Sequence, residues 1–187
     1  QSILIRYVPE KALEGLYLAL GKIHWNKPGF HQINDITSCP GTTTCNLGIA
    51  NSVGLATELR NVIEHEFPDL VDYPQLDIKI SGCMNACGQH SMASIGFHGS
   101  SLKAADKRVL PALQVLLGGA TLGNGEGKIA DKVIKVPSKR GPQVLRTLLN
   151  NFEENAQADE YFHTYYDRQG EKYFYDLLKP IADLSTL

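Results

Sequence analysis

The residues whose type and spacing could do chemistry are four cysteines, arranged as Cys39-x5-Cys45 and Cys83-x3-Cys87. Glycines flank both pairs, in Ser38-Cys39-Pro40-Gly41 and in Gly82-Cys83-Met84-Asn85-Ala86-Cys87-Gly88. Thiolates are soft ligands, and four of them make a complete first coordination set for a metal centre. Zinc sites favour pairs two to four residues apart on tight knuckles, which suits the second pair and fits the first poorly. Iron-sulfur clusters are larger and accept wider ligand loops. A cubane with four thiolates carries net negative charge, so backbone N–H donors and small residues should surround it. Gly41, Gly82 and Gly88 with residues 42–44, all threonine, are of that kind. Spacing leaves three readings open: an iron-sulfur cluster, a zinc site, or buried and free thiols. A disulfide framework is the blander alternative, but such frameworks belong mainly to small secreted domains short of core.

The elements that must position these thiols can be read from periodicity. Residues 3–8 read as a strand, and a helix opens at Pro9-Glu10 with Leu13, Leu16, Tyr17 and Leu20 on one face, ending before Lys27-Pro28-Gly29. Residues 33–38 are expected to form a short strand delivering Cys39. Residues 42–46 then lead into a helix with the apolar stripe Leu55, Leu59, Val62 and Ile63, which Pro68 stops. Residues 76–80 are expected to form a half-buried strand delivering Cys83, so both cysteine loops follow strands. Loops at strand ends are a common place for sites in sheets packed with helices.

Further strands are expected over 92–97, 112–117 and 132–136. Between the last two, residues 118–127 carry five glycines and read either as a hairpin or as a loop that brings amides close to an anion. No nucleotide-binding fingerprint follows that segment. Val144, Leu145, Leu148, Leu149 and Phe152 mark an amphipathic helix. Residues 159–187 carry Tyr and Phe at helical spacing, as helices contributing core would.

Composition bounds the function classes. A chain of 187 residues, 43% hydrophobic and 20% charged, has the makings of a folded domain with a sizeable core. A net charge of -2 gives no electrostatic reason to expect nucleic acid as partner. No stretch approaches the roughly 20 apolar residues that spanning a bilayer needs. The first residues, Gln1-Ser2-Ile3-Leu4-Ile5, carry no signal-type segment and read as the start of a piece of a longer, cytoplasmic protein.

The two cysteine segments, with Ala93-Ser94-Ile95-Gly96-Phe97-His98-Gly99, Leu116-Leu117-Gly118-Gly119 and Lys135-Val136-Pro137, resemble the siroheme-containing sulfite and nitrite reductases. The resemblance runs over about residues 34–155 and implies an α+β fold, a mixed β-sheet flanked by helices with a helical C-terminal tail. It divides the chain into the end of a ferredoxin-like half domain over 1–30, a 4Fe-4S and siroheme-binding domain over 31–155, and the tail over 156–187. It implies a [4Fe-4S] cluster on Cys39, Cys45, Cys83 and Cys87, with the Cys87 sulfur also the axial ligand of the siroheme iron.

The activity implied is six-electron reduction of sulfite to sulfide or of nitrite to ammonia. Electrons would come from ferredoxin or a flavoprotein, and the upstream half of the same polypeptide would complete the site. This part alone is expected to be inactive and able to lose either cofactor, and no catalytic acid or base is assigned in it. The class kept beside this one is a non-catalytic electron-transfer or zinc-stabilised interaction domain. Met84 stands where the family commonly has Pro, and Gln89 with residues 95–97 leans toward the nitrite-type enzymes. The cations Lys103, Lys107, Arg108, Lys128, Lys139 and Arg140 read as surface charges, with Lys128 or Arg140 the candidates for a siroheme carboxylate. His90 reads as a partly buried polar residue or a hydrogen-bond donor behind the cluster loop.

Overall fold

The computed structural model describes residues 3–73, 76–104 and 107–185; Gln1 and Ser2 of the expected half domain, and residues 186–187 of the expected tail, lie outside it. The chain divides into two compact units, Gln1–Phe30 and His31–Leu187. In the first, α1 (Leu13–Gly21) follows a short 3-10 turn, and none of its residues is buried. Residues 3–8 form no strand there, contrary to expectation. A strand is held by its neighbours' ladder, and residues 3–30 supply no second extended segment to pair with.

The second unit is built on a five-stranded mixed sheet. Its strands are β1 (Thr37–Ser38), β2 (Ile78–Ser81), β3 (Ile95–Lys103), β4 (Val109–Leu117) and, after a hairpin of β5 (Ala120–Gly123) and β6 (Glu126–Lys128), β7 (Asp131–Pro137). The sheet order is β1-β2-β3-β4-β7. β1 and β2 are parallel, as are β2 and β3, while β3 with β4 and β4 with β7 are antiparallel. Parallel neighbours cannot be joined by a tight turn and need crossovers. The first crossover carries α2 (Ser52–Glu66), and the second is the loop over 82–94. Both crossovers leave the same end of the sheet, and each carries one cysteine pair.

Hydrophobic alternation turns Ile78 and Ile80, Ile95 and Phe97, and Leu113, Val115 and Leu117 into one core, where the apolar stripes of α2 and α3 (Gly141–Asn155) meet them. Outside the core, Arg146 of α3 donates two hydrogen bonds of 2.6 Å to Glu66 of α2. The C-terminal helices α4 (Phe162–Gln169) and α5 (Glu171–Ala182) complete the core rather than trail from it. Phe162, Tyr165, Tyr166 and Phe174 are fully buried, and Tyr166 stacks on Phe174 with ring centroids 5.1 Å apart. The two buried phenols keep partners, Tyr165 donating to Asn151 Oδ1 (2.6 Å) and Tyr166 to Asp131 Oδ2 (3.1 Å).

Several boundaries differ from expectation. The strand expected over 33–38 pairs only at Thr37 and Ser38, opposite Lys79 and Ile80 of β2. Residues 41–43 make one 3-10 turn, and α2 starts only at Ser52, where Asn51 Oδ1 caps the Gly54 N–H at 2.9 Å. The glycine-rich segment is the β5-β6 hairpin. No helix among the described residues is long and apolar enough to cross a membrane.

Candidate functional site

Because β1 and β2 run parallel and adjacent, their C-terminal ends coincide, and each ends just before a cysteine. The Cys39 N–H extends the ladder one step by donating to Ile80 O (3.1 Å). Gly82 O, just before Cys83, accepts from the N–H groups of Ile49 (2.8 Å) and Ala50 (3.0 Å), tying the two cysteine segments together. The result is one small cavity of about 90 Å³ lined by Cys39, Cys45, Cys83 and Cys87 with Pro40, Gly41, Leu47, Gly48, Ser81, Gly82 and Asn85. All four cysteines are free thiols; Cys39 and Cys83 are half-buried, and Cys45 and Cys87 are exposed at its mouth.

The lining is made of small residues for a steric reason. Gly41 has φ +53°, and a Cβ there would lie 2.3 Å from Ser52 Oγ and 2.6 Å from Ala50 O. A donor points at the half-buried Cys39 sulfur: the Gly82 N–H donates to Cys39 Sγ (3.0 Å), while the buried Ser52 hydroxyl donates to Cys39 O (2.6 Å) with its oxygen 3.7 Å from Cys39 Sγ. Burial works against the Cys39 thiolate, but hydrogen bonds, that from the Gly82 N–H foremost, outweigh it and hold the thiol below its ordinary value of 9.0. The cradle thus fits an anionic, thiolate-held group. Among the described residues, no three His, Cys, Asp or Glu side chains converge closely enough to hold a single metal ion.

Beneath the loop lies a layer that the cysteine motif does not announce. Gly88 N–H donates to Ser81 Oγ (3.0 Å), and His90 Nδ1 lies 2.8 Å from the same oxygen. His90 is only 3% exposed, and its ring meets that of His98 at 4.7 Å. His98 Nδ1 lies 2.9 Å from Gly99 O and so carries the proton, leaving a buried Nε2 lone pair with no hydrogen-bond partner. Ser52, Ser81 and His98 are the site residues that spacing could not reveal. Their roles depend on contacts between segments, which no local sequence signal announces.

Burial, with smaller repulsion from His98 and Lys132, lowers His90 from 6.5 to about 4, so the folded chain holds it neutral. An unfolded His90 gains a proton near its ordinary value while the folded one does not. Its contribution to stability is therefore complete above pH 6.5 and is lost as pH falls toward 4. At about 1.4 kcal/mol per pH unit, urea melts between pH 7 and 4.5 should lose about 2 to 3 kcal/mol that His90→Asn does not lose. Equal losses in both proteins would contradict this.

The candidate cations have other work. Lys128 pairs with Asp167 and lies over the Tyr166 ring, while Arg140 donates to Ile181 O and Asp183 O at the end of α5.

Against known proteins, the family model described as the nitrite and sulphite reductase 4Fe-4S domain matches residues 30–182. The chain is 24% identical over 151 residues to the ferredoxin-nitrite reductase of Synechococcus elongatus, covering 80% of this chain and 28% of that protein. It is 27% identical over 173 residues to the ferredoxin sulfite reductase of the same organism, covering 81% of this chain and 25% of that protein. The chain therefore spans only 25 to 28% of the length of these curated relatives. Among solved structures, the fold is similar to that of the Mycobacterium tuberculosis NirA protein, with a TM-score of 0.72 and 24% identity over 89% of this chain and 31% of that one. It is similar also to dissimilatory sulfite reductase I, with a TM-score of 0.66 and 10% identity over 94% of this chain and 60% of that one.

Proposed function

This chain belongs to the nitrite and sulphite reductase 4Fe-4S domain family, and on that premise we propose that it is the cluster-bearing part of a siroheme-dependent sulfite or nitrite reductase. The observation that carries the reading is that all four cysteines, from two segments of the family-matched span, line one cavity at the ends of adjacent parallel strands. Cys39, Cys45, Cys83 and Cys87 would hold a [4Fe-4S] cluster, and Cys87 would also hold the siroheme iron. When bound, the cluster and siroheme supply one-electron storage and the six-electron reduction of sulfite to sulfide or of nitrite to ammonia.

The chain's own residues do four things toward that chemistry. The Gly82 N–H favours the thiolate of Cys39 and offsets part of the negative charge gathered in the cavity, while the Ser52 hydroxyl anchors the Cys39 carbonyl. Gly41 keeps the wall thin enough for backbone to approach the sulfurs. The exposed Cys87 holds its sulfur at the mouth, where a second centre can share it. Leu47 and Met84, 66% and 70% exposed, present apolar surface beside the thiols of the kind a macrocycle face would cover and keep dry.

Residues 1–30 are, on this reading, the end of a ferredoxin-like half domain, 31–155 the cluster and siroheme domain, and 156–187 its helical tail. The substrate-binding cations, the electron donor (ferredoxin or a flavoprotein) and the rest of the active site come from outside this chain, which is inactive alone. The experiment that tests the reading is anaerobic purification of the whole polypeptide carrying this chain, followed by absorption and EPR spectroscopy. Cubane and siroheme signals that interact magnetically are expected, and the absence of both would overturn the proposal.

A further inference from the structure

Cys87 sits in a turn that local preference does not favour. The residues bracketing Cys87-Gly88, Ala86 and Gln89, both have φ +59°, and neither is a glycine. L-residues other than Gly, Asn and Asp avoid this left-handed region because Cβ crowds the following carbonyl. A strained turn persists only where its surroundings over-determine it, so the ties that hold it are informative. Within the turn, Gln89 N–H donates to Ala86 O (2.7 Å), and Met92 N–H donates to Gln89 O (2.9 Å). From outside, Lys79 Nζ reaches Gln89 Oε1 at 3.2 Å, an exposed contact.

The buried tie is the Gly88 N–H to Ser81 Oγ, which fixes the residue next to Cys87 directly onto β2. Gly88 is pressed so closely there that a Cβ would come within 2.1 Å of Ile80 O. Ser81, 1% exposed, is in turn oriented by His90 Nδ1 at 2.8 Å, and the His90 ring is backed by His98. The elements are independent in sequence: Ser81 ends β2, His90 opens the 3-10 turn 90–92, and His98 lies in β3.

We infer that Ser81 and His90 are positioning residues for Cys87, a latch that holds the strained 86–89 turn with its thiol at the cavity mouth before any cluster binds. The inference rests on the reading of Cys87 as a cluster ligand, but the latch itself is a property of the metal-free chain. Ser81 makes its hydrogen bonds to Gly88 and His90 and acts on Cys87 through Gly88.

The test compares wild type with Ser81→Ala, Ser81→Thr and His90→Asn, first metal-free and then with iron and sulfide reconstituted. In the metal-free chain, hydrogen exchange at the Gly88 amide should accelerate at least tenfold in Ser81→Ala. Amides of β3 and β4 should keep their protection, and Ser81→Thr, which restores the hydroxyl, should recover most of the effect. In the reconstituted chain, Ser81→Ala should release iron to a chelator at least tenfold faster and show an altered EPR signal, with His90→Asn intermediate. Unchanged Gly88 exchange and iron release in Ser81→Ala would overturn the inference, as would an equal acceleration at all amides, which marks a merely structural serine. Should wild type itself take up no cluster while Gly88 responds as stated, the reading of Cys87 as a ligand fails and the latch on the 86–89 turn of the metal-free chain stands.

Discussion

Cys39→Ser is expected to abolish cluster assembly while leaving the fold almost untouched. Wild type should reconstitute to about four irons per chain and the variant to near none. Cys39 is one of the two half-buried thiols, the Gly82 N–H donates to its sulfur, and the Ser52 hydroxyl donates to its carbonyl. Serine is shorter and harder and remains a neutral hydroxyl where the thiol is held toward thiolate, so it loses as a ligand on reach, softness and charge. The fold should tolerate it because the Cys39 N–H to Ile80 O bond belongs to the backbone, and the change in stability should stay within about 1 kcal/mol. Cys87→Ser should behave differently. In the whole polypeptide it should remove the magnetic interaction between cluster and siroheme, whether or not a cluster on three thiolates persists. Iron analysis with thermal melts reads the first variant and EPR reads the second.

The second large effect comes from a residue without functional groups. Gly99→Val should cost about 3 kcal/mol of stability and cluster assembly together, because overpacking against backbone has nowhere to relax. A Cβ at Gly99 would lie 2.1 Å from Gly82 O and 3.0 Å from Ala50 Cβ. Gly82 O is the acceptor that joins the Ile49 and Ala50 amides to the Cys83 segment, so the added side chain pushes apart the two halves of the cysteine cavity. Ser101→Val, at an exposed position of the same strand, is the control and should change stability by no more than about 0.5 kcal/mol. Urea denaturation with iron content measures both quantities, and a Gly99→Val chain of normal stability and full cluster would show that β3 does not support the loop in this way.

The sequence made legible what is local and periodic. The stripes of α2 and α3 became the core face they implied, and the aromatic spacing of the tail became α4 and α5 with Phe162, Tyr165, Tyr166 and Phe174 buried. The cysteine segments could be read as one site because each follows a strand, although only the parallel pairing of β1 with β2 makes the two strand ends coincide. What escaped was set by partners distant in sequence.

The outer halves of β3 and β4 were missed because residues 100–103 project beyond the core and carry no apolar alternation, and because Pro111 argues against a strand. Pro111 is tolerated since the pairing of β4 with β7 starts only at Ala112. Residues 3–8 show the reverse failure: a strand-like pattern with no partner in its unit stays unpaired. Ser81, Ser52 and His98 have ordinary sequence surroundings, and their meaning comes from what folding brings against them.

The most direct measurement of the central claim is the iron, acid-labile sulfide and zinc content of this chain after anaerobic purification and reconstitution, with EPR of the reduced sample. About four irons and four sulfides per chain, negligible zinc and a cubane signal are the predicted result. One zinc per chain with neither iron nor sulfide would contradict the account and leave the four cysteines as a structural metal site.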